Sequence, residues 1–202
     1  MKNAIIIGKT NVGKSLFLVN FAEYLGYEKV YITIEYPDGK KLNKQMSTEL
    51  AKKYLSSSKD YKTRALQSLD IKLPVYKGKK EIKVVDSSGL ADGIHPDISV
   101  RNSMIQTLEM LFSSDIIIHI VDVTDYLDSN NLWNNNIIDR QLADYGIPKY
   151  KYLLLANKID LDENEDGLNN LSKFFPKVKI IPVSALYKKG FKEVKDFVFK
   201  YI

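Results

Sequence analysis

The sequence predicts an α/β fold of three layers, in which a mostly parallel, six-stranded sheet has helices on both faces and contains one antiparallel hairpin pair. Short apolar runs alternate with stretches that carry apolar residues at helical spacing, which is typical of a parallel sheet covered on both faces. Two further runs flank a turn signal and predict the hairpin. The chain has 202 residues, 45% of them hydrophobic. We therefore expect a single domain over 1–202 with a sizeable core.

The first predicted elements are a strand, a loop and a helix. Residues 4–7 form a short apolar run that ends at Gly8, and residues 15–25 carry apolar side chains at helical spacing. The hairpin strands are predicted at 71–76 and 82–85, because a Lys-Gly-Lys turn signal lies between them.

The second half of the chain contains the remaining elements, in which strands and helices alternate. Buried strands are predicted at 115–122, 152–156 and 178–183. Helices are predicted at 100–112, 131–145, 167–175 and 191–202. His119 interrupts the first of these strands, and we interpret it as a core residue whose ring nitrogens have hydrogen-bond partners.

One segment, residues 38–69, does not follow the alternation. Leu42, Met46, Leu50 and Tyr54 recur every four residues, which predicts one narrow apolar stripe of a helix that the serines at 56–58 end. Two interpretations remain open. The helix packs on the domain, or it is amphipathic and binds a partner.

The same segment carries the basic charge of the chain, whose formal net charge is +5. Between Asp38 and Lys83 there are 13 Lys and Arg residues and five Asp and Glu residues, a net charge of +8, so the rest of the chain sums to −3. A solvated surface with clustered lysines and an electrostatic footprint for RNA or another polyanion are both open interpretations.

The composition excludes several classes of protein. The chain has no cysteine and two histidines, which rules out a disulfide framework, an iron–sulfur cluster, a thiolate zinc site and a cysteine nucleophile. No apolar run approaches the length of a membrane span, and the first seven residues are too short for a signal-peptide core. We expect a cytoplasmic protein.

A phosphate-binding motif follows the first predicted strand and opens the first predicted helix. Residues 8–15 read GKTNVGKS and fit G-x-x-x-x-G-K-[ST]. The glycines let backbone N–H groups point at a phosphate, Lys14 reaches the β- and γ-phosphates, and the Ser15 hydroxyl group ligates Mg²⁺. The predicted nucleotide-binding residues of this phosphate loop are Gly8, Asn11, Val12, Gly13, Lys14, Ser15 and Leu16.

A second motif, Asn157-Lys158-Ile159-Asp160, follows the strand at 152–156 and predicts guanine as the base. The Asp160 carboxylate can accept hydrogen bonds from N1–H and the N2 amino group of guanine, whereas adenine lacks this donor pair. The wrong base would leave a buried polar group unpaired, which discriminates strongly. Lys158 would lay its alkyl stem along the base, and Asn157 would brace this loop against the phosphate loop.

The sequence contains two more motifs. Residues Asp86-Ser87-Ser88-Gly89 fit D-x-x-G and lie between the first two motifs, and Ser184-Ala185-Leu186 follows them. With them the sequence resembles the translation-factor-related small GTPases, and within that class the Era and TrmE branch. The resemblance implies a G domain of the P-loop NTPase fold. It also implies that Asp86 positions Mg²⁺ through water, that the Gly89 N–H group contacts the γ-phosphate, and that the Ala185 N–H group binds guanine O6. Ser184 and Leu186 are predicted to bind nucleotide.

Leu90 follows Gly89 where Ras-like enzymes have the glutamine that orients the attacking water. An isobutyl group can neither orient nor deprotonate water, and Era and TrmE relatives share this apolar residue. We therefore expect catalysis by positioning and charge neutralisation, with Leu90 turned away.

Asn11 stands where potassium-stimulated relatives carry an asparagine that ligates K⁺. A monovalent cation there could neutralise charge between the β- and γ-phosphates. Simple loop geometry is the alternative, since Asn tolerates left-handed backbone angles.

The threonine that closes over Mg²⁺ and the γ-phosphate in relatives is less obvious. Thr63 precedes the hairpin and is our choice, as a magnesium ligand and catalytic residue beside Lys14 and Gly89, while Thr33 and Thr48 remain alternatives. The stretch between the phosphate loop and Asp86 is enlarged relative to the family, which places a basic insert, at about 38–69, in the first switch region.

The predicted function is GTP hydrolysis to GDP and phosphate with Mg²⁺, in a nucleotide-dependent switch that acts on RNA or the ribosome through the basic insert. The alternative is a nucleotide-gated module with little hydrolysis, on whose insert a protein effector docks. A kinase is disfavoured because it would not need a guanine-reading loop. The sequence gives no prediction of oligomeric state.

Overall fold

A computed structural model describes residues 1–56, 65–75, 78–90, 95–128, 132–149 and 151–202. The strands are β1 (Lys2–Ile7), β2 (Lys29–Glu35), β3 (Lys41–Ser47), β4 (Leu66–Val75), β5 (Gly78–Asp86), β6 (Ile116–Asp122), β7 (Tyr152–Asn157) and β8 (Ile180–Pro182). The α-helices are α1 (Lys14–Tyr24), α2 (Thr48–Ser56), α3 (Ile98–Ser113), α4 (Leu132–Asn135), α5 (Ile137–Gly146), α6 (Asp166–Phe174) and α7 (Phe191–Tyr201).

The strands form one mixed sheet in the order β3-β2-β4-β5-β1-β6-β7-β8. The α/β class is confirmed, but the predicted number of six strands is wrong, because the described residues contain eight. The six predicted strands are the contiguous part from β4 to β8, where β5, β1, β6, β7 and β8 are parallel and β4 pairs antiparallel with β5.

The two additional strands, β2 and β3, form an antiparallel hairpin that extends the sheet beyond β4. β2 pairs antiparallel with β4, so that Ile32 lies opposite Leu69. A tight turn joins β2 to β3, with the Gly39 N–H group donating to the Tyr36 carbonyl group at 2.9 Å and Gly39 at φ 83°. The Pro-Asp-Gly sequence at 37–39 is a turn signal, but no hairpin is predicted around it in the sequence analysis.

The predicted single helix over the stripe in 38–69 is wrong as well. Leu42 and Met46 lie in β3, whereas Leu50 and Tyr54 lie in α2. A spacing of four residues puts side chains on one face of a helix, but it is also even, so it puts them on one face of a strand. The helix α2 does end at Ser56, as predicted, and its residue Ala51 is fully buried in the domain. Residues 57–64, which follow α2, lie outside the described residues.

The core has two halves, one on each face of the sheet. In β1, Ala4 and Ile6 contact the half that includes Phe17 of α1 and Phe191 of α7, whereas Ile5 and Ile7 contact the half under Leu111, Leu142 and Leu171. This two-residue alternation is what a strand buried on both faces requires. Among the described residues, no helix has the length and apolar character needed to cross a membrane.

Candidate nucleotide-binding site

The phosphate loop connects β1 to α1 at the carboxyl end of the parallel strands. Gly8 has φ 145°, and a Cβ atom there would lie 2.1 Å from the Ile120 carbonyl oxygen. Gly13 has φ 97° and begins α1 without a side-chain cap, so the first N–H groups of the helix are free to bind an anion at the positive end of its dipole. Only glycine fits both positions.

Lys14 is buried beneath this loop. Its Nζ atom donates to the Lys9 carbonyl oxygen at 2.6 Å and to the Gly8 carbonyl oxygen at 3.2 Å. Burial lowers the pKa of Lys14 to about 8, and the charge of Asp86 opposes this shift in part. The Lys14 ammonium group is therefore held by carbonyl groups of the same loop whose N–H groups would bind the phosphates.

Ser15 and Asp86 meet beside the loop. The Ser15 hydroxyl group donates to Asp86 Oδ2 at 2.5 Å, while Asp86 Oδ1 is buried and has no hydrogen-bond partner among the described residues. Burial raises the pKa of Asp86 to about 6, although Lys14 and the Ser15 hydrogen bond lower it in part. An orphaned carboxylate oxygen beside a hydroxyl group suits Mg²⁺, which binds one or two carboxylates and completes its shell with phosphates and water.

The guanine motif begins at the end of β7, and its first residue touches two loops. Asn157 Nδ2 donates to the Val12 carbonyl oxygen at 2.7 Å, and Asn157 Oδ1 accepts from the Ala185 N–H group at 2.8 Å. A Cβ atom on Gly13 would lie 2.4 Å from Asn157 Nδ2. The phosphate loop and both predicted guanine loops are thus joined through one side chain.

The other residues predicted to bind guanine follow Asn157 and Ser184 along the chain. Lys158 adopts φ 66° and forms an ion pair with Asp122 at the end of β6. Asp160 is half-buried in the turn that follows, and Leu186 is 57% exposed. The Ser184 hydroxyl group accepts a hydrogen bond from the Tyr187 N–H group at 3.2 Å, which folds the third loop on itself.

Gly89 and Leu90 lie against the phosphate loop. A Cβ atom on Gly89 would lie 2.7 Å from Thr10 Cα, so the two loops are in close contact. The Leu90 N–H group donates to the Gly8 carbonyl oxygen at 3.2 Å, and the Leu90 side chain is buried in the core half that contains Ile5 and Ile7. Leu90 is therefore turned away from solvent, as expected from its apolar character.

Three predictions about the site, on the switch threonine, its alternatives and the potassium ligand, stay predictions. Thr63 lies outside the described residues. The Thr33 hydroxyl group donates to Asn43 at 2.9 Å and that of Thr48 to the Glu28 carbonyl group at 3.4 Å, so both alternative threonines have hydrogen-bond partners in or beside the insert. Asn11 has φ 62°, a left-handed conformation that asparagine tolerates, and the potassium ligand stays a prediction.

Sequence reasoning missed two polar residues at the guanine loops. Asn20, buried in α1, donates to the Ala185 carbonyl oxygen at 2.6 Å, and Asp122 holds Lys158. Asn20 lies in the buried face of an apolar helix and Asp122 ends an apolar strand, and a lone polar residue in either setting is a signal for a specific partner.

No protein-family model matches the chain. Among curated proteins it is similar to the GTPase Obg of Thermodesulfovibrio yellowstonii, with 24% identity over 127 residues, and to that of Shouchella clausii, with 26% identity over 114 residues. These alignments cover 61% and 55% of the chain but only 37% and 26% of the relatives. The chain thus spans well under half the length of the curated relatives it matches.

Solved structures share the fold over nearly the whole chain. Era of Aquifex aeolicus bound to GDP and AlF4⁻ has a TM-score of 0.59 and 19% identity, covering 100% of the chain and 57% of Era. The G domain of the FeoB iron transporter of T. maritima has a TM-score of 0.57 and 16% identity, covering 100% and 98%. Era in complex with MgGDPNP and a 16S ribosomal RNA fragment has a TM-score of 0.60 and 17% identity, covering 99% and 56%. The chain has the fold of a small GTPase G domain and resembles Era.

Proposed function

We propose that this chain binds GTP and hydrolyses it to GDP and phosphate. The observation that carries the proposal is the Asn157 bridge between the phosphate loop and the Ala185 loop. A general phosphate-binding loop has no need of this connection. A site that must bind a base and a phosphate chain at a fixed distance does need it, because each loop then positions the other.

Guanine selection would depend on Asp160. Its half-buried carboxylate can accept from the N1–H and N2 amino groups of the base, and the Ala185 N–H group, if it turns from Asn157, can donate to O6. The ion pair with Asp122 holds the ammonium end of Lys158 and so fixes the path of its alkyl stem.

Phosphate binding would combine the open N-terminus of α1, the Lys14 ammonium group and the Ser15 hydroxyl group. Mg²⁺, when bound, would neutralise charge on the β- and γ-phosphates. Asp86 fits the metal because its Oδ1 atom is buried and unpartnered, and Thr63 is our proposed ligand from the first switch.

Hydrolysis would proceed without a side-chain base at position 90, since Leu90 is buried in the core. The protein would then act by orienting water and phosphate and by supplying positive charge. K⁺ beside Asn11 is our proposed additional charge. Faster turnover in K⁺ than in Na⁺ is expected, and equal rates would remove potassium from the mechanism.

The output of such a switch would be a partner interaction. We propose RNA, because the basic excess lies in and beside the insert and because one similar structure is Era with a 16S ribosomal RNA fragment. A protein effector is the second candidate. It draws support from Leu50, which is 56% exposed on α2, but the stripe that favoured it is divided between a strand and a helix.

A base-exchange experiment tests the proposal. In Asp160→Asn an amide replaces the carboxylate, so its NH2 group faces the donor groups of guanine and can instead donate to the O2 atom of xanthine. We expect GDP affinity to fall by about 100-fold or more and xanthosine diphosphate affinity to rise, as measured by isothermal titration calorimetry. Asp162→Asn, which alters a carboxylate that binds the α6 N–H groups, is the matched control and should keep its preference for GDP. Equal affinity of the wild-type chain for GDP and ADP would refute guanine binding.

A further inference from the structure

A buried polar cluster lies beside the phosphate loop on the α5 side of the sheet. The two ring nitrogens of His119 contact the Tyr152 hydroxyl group at 2.8 Å and Asp139 Oδ1 at 3.1 Å. The Tyr126 hydroxyl group donates to Asp139 Oδ2 at 3.2 Å. His119, Tyr126 and Asp139 have no solvent exposure, and Tyr152 has 8%.

Burial raises the pKa of both tyrosines well above the ordinary value, and the nearby Asp139 raises it further. The phenol groups therefore stay protonated, and Tyr126 can only act as a donor to the carboxylate. A buried carboxylate costs free energy unless it is hydrogen-bonded or paired with a cation. His119 and Tyr126 hold Asp139 in one orientation from two sides.

The cation that faces Asp139 comes from the phosphate loop. Lys9 Nζ lies 3.5 Å from Asp139 Oδ2 and 2.6 Å from Asp125 Oδ2, and it donates to Asn136 Oδ1 at 2.9 Å. Burial alone would lower the pKa of Lys9, but Asp125 and Asp139 outweigh it and raise the pKa. Lys9 is thus charged at neutral pH.

Asn136 interrupts the helix predicted at 131–145. It has no solvent exposure and lies between α4 and α5, where its Nδ2 atom donates to the Leu132 carbonyl oxygen at 3.1 Å. Its other amide atom binds Lys9. The break in the helix therefore supplies an acceptor to the phosphate loop.

The backbone of Lys9 contacts the groups expected to meet phosphate. Its carbonyl oxygen accepts the 2.6 Å hydrogen bond from Lys14, and its backbone forms a parallel bridge with Leu90, next to Gly89. Any rotation of the Lys9 peptide would move the acceptor of Lys14 and the contact with the D-x-x-G segment together.

We propose that Lys9 is a positioning residue of the nucleotide site. The side chain, held by Asp125, Asp139 and Asn136, fixes the Lys9 peptide, and that peptide fixes Lys14. This inference rests on the proposed function, because it assigns the cluster a role in holding nucleotide. A cluster with a structural role alone would stabilise the fold and leave nucleotide release from the folded protein unchanged.

The test measures release of a fluorescent GDP analogue from the full chain in Mg²⁺, at a temperature well below the midpoint of unfolding of each variant. Lys9→Met removes the cation and keeps most of the side-chain length. We expect release about tenfold faster or more, because the Lys9 peptide that holds Lys14 is then no longer fixed and the site loses preorganisation. Lys9→Arg keeps a cation beside the same carboxylates and should release nucleotide more slowly than Lys9→Met.

Asp139→Asn tests the other end of the contact. We expect faster release here too, and the double variant Lys9→Met/Asp139→Asn should show less than the product of the two single effects, because both remove one interaction. Lys52→Met is the matched control. Lys52 is partly buried and paired with Glu23 at 2.5 Å, away from the phosphate loop, so its loss should leave release unchanged.

Three outcomes separate the alternatives. Wild-type release in Lys9→Met together with a lower unfolding midpoint would make the cluster structural and overturn the inference, as would equally fast release in Lys9→Arg and Lys9→Met. If Asp139→Asn does not fold, the comparison of Lys9→Met with Lys9→Arg still decides. Failure of the wild-type chain to bind guanine nucleotide would overturn the proposed function, and this inference with it.

Discussion

Asp86 has no solvent exposure, and its carboxylate accepts a hydrogen bond from the Ser15 hydroxyl group. Its pKa rises from 3.8 to about 6 because burial disfavours the charged form. A raised pKa in the folded state means that protonation favours folding. The contribution of Asp86 to the free energy of unfolding is therefore greatest below pH 4 and decreases by up to about 3 kcal/mol as the pH rises through 6.

Asp86→Asn should remove this dependence. In the metal-free and nucleotide-free protein at pH 7, we expect the variant to be more stable to urea than the wild type, and the difference should vanish near pH 4. Affinity for GDP should lose its dependence on Mg²⁺ at the same time. Asp70→Asn changes an exposed carboxylate on β4 and should alter neither property. A metal-free Asp86→Asn variant less stable than the wild type at pH 7 would contradict this account.

Alanine substitutions at Gly13 and Gly26 distinguish the cost of backbone strain from the cost of a steric collision. Their φ angles are 97° and 93°, so alanine is strained at both positions by about 1–2 kcal/mol. A Cβ atom on Gly26 meets nothing within 4 Å, whereas one on Gly13 would lie 2.4 Å from Asn157 Nδ2. We expect Gly26→Ala to bind GDP like the wild type. Gly13→Ala should be less stable than Gly26→Ala in urea unfolding and should lose most GDP affinity.

If the two alanine variants bound GDP equally, the Asn157 bridge would have no part in nucleotide binding. The comparison is matched because the backbone strain is the same in both. What differs is the collision with the side chain that joins the three loops.

The predicted site residues and Lys9 differ in whether a short motif identifies their role. Lys14, Asp86 and Asn157 stand at defined positions of such motifs, although the partners of Asp86 and Asn157 are distant in the chain. Lys9 has its partners at positions 125, 136 and 139. Such a role cannot be deduced from one loop, because only the fold brings β1, α5 and the end of β6 together.

At the scale of elements, the hairpin β2–β3 and the helix α2 are part of the domain and do not form a loose appendage. Ile32 of β2 is 1% exposed and belongs to the same core half as Phe17 and Phe191. Ala51 of α2 is fully buried, and Lys52 pairs with Glu23 of α1 at 2.5 Å. The hairpin and α2 thus share the core that supports the phosphate loop.

Ile32→Ala tests this shared core. The variant should lose about 2–5 kcal/mol of unfolding free energy in a single transition, measured by urea unfolding followed by circular dichroism. Tyr31→Ala is the control, since Tyr31 is the adjacent residue on the opposite face of β2 and is 68% exposed. It should cost far less. A separate, earlier transition in Ile32→Ala would instead mean that the hairpin folds on its own.

The apolar pattern of the sequence predicts strands that are buried on both faces, but it does not predict a strand that is mostly exposed. β6 and β7 are continuous apolar runs with every residue buried. β3 has five of its seven residues exposed, so it lacks the apolar pattern that identifies a strand. Its place in the sheet depends on backbone pairing with β2 along its whole length, which side-chain hydrophobicity does not encode.

For the whole molecule, the alternation of strands and helices was sufficient to predict the class of fold, because each βα unit must bury both faces of a parallel strand. The distribution of charge is also a property of the whole molecule. The basic excess of the sequence lies between Asp38 and Lys83, whereas the candidate nucleotide site is built from backbone N–H groups and Lys14 of the phosphate loop. The two surfaces can therefore be tested separately.

RNA binding through the insert should depend steeply on salt, because each neutralised phosphate releases counterions. We expect the slope of log K against log salt to become less steep in the triple variant Lys40→Gln/Lys41→Gln/Lys44→Gln, measured by fluorescence anisotropy with a ribosomal RNA fragment. Lys192→Gln/Lys195→Gln/Lys200→Gln removes equal charge from α7 and should keep the wild-type slope. An equal loss in both variants would indicate a general charge effect.

The hairpin β2–β3 also changes which strand is the edge strand on this side of the sheet. An outermost strand exposes unpaired N–H and C=O groups and can template aggregation with another chain. Without β2 and β3 that strand would be β4, which contributes Leu69, Ile71 and Leu73 to the core. With them it is β3, where Lys41 and Lys44 occupy two of seven positions. Lysines on an outermost strand oppose edge-to-edge association, so the hairpin protects the sheet from aggregation whatever else it binds.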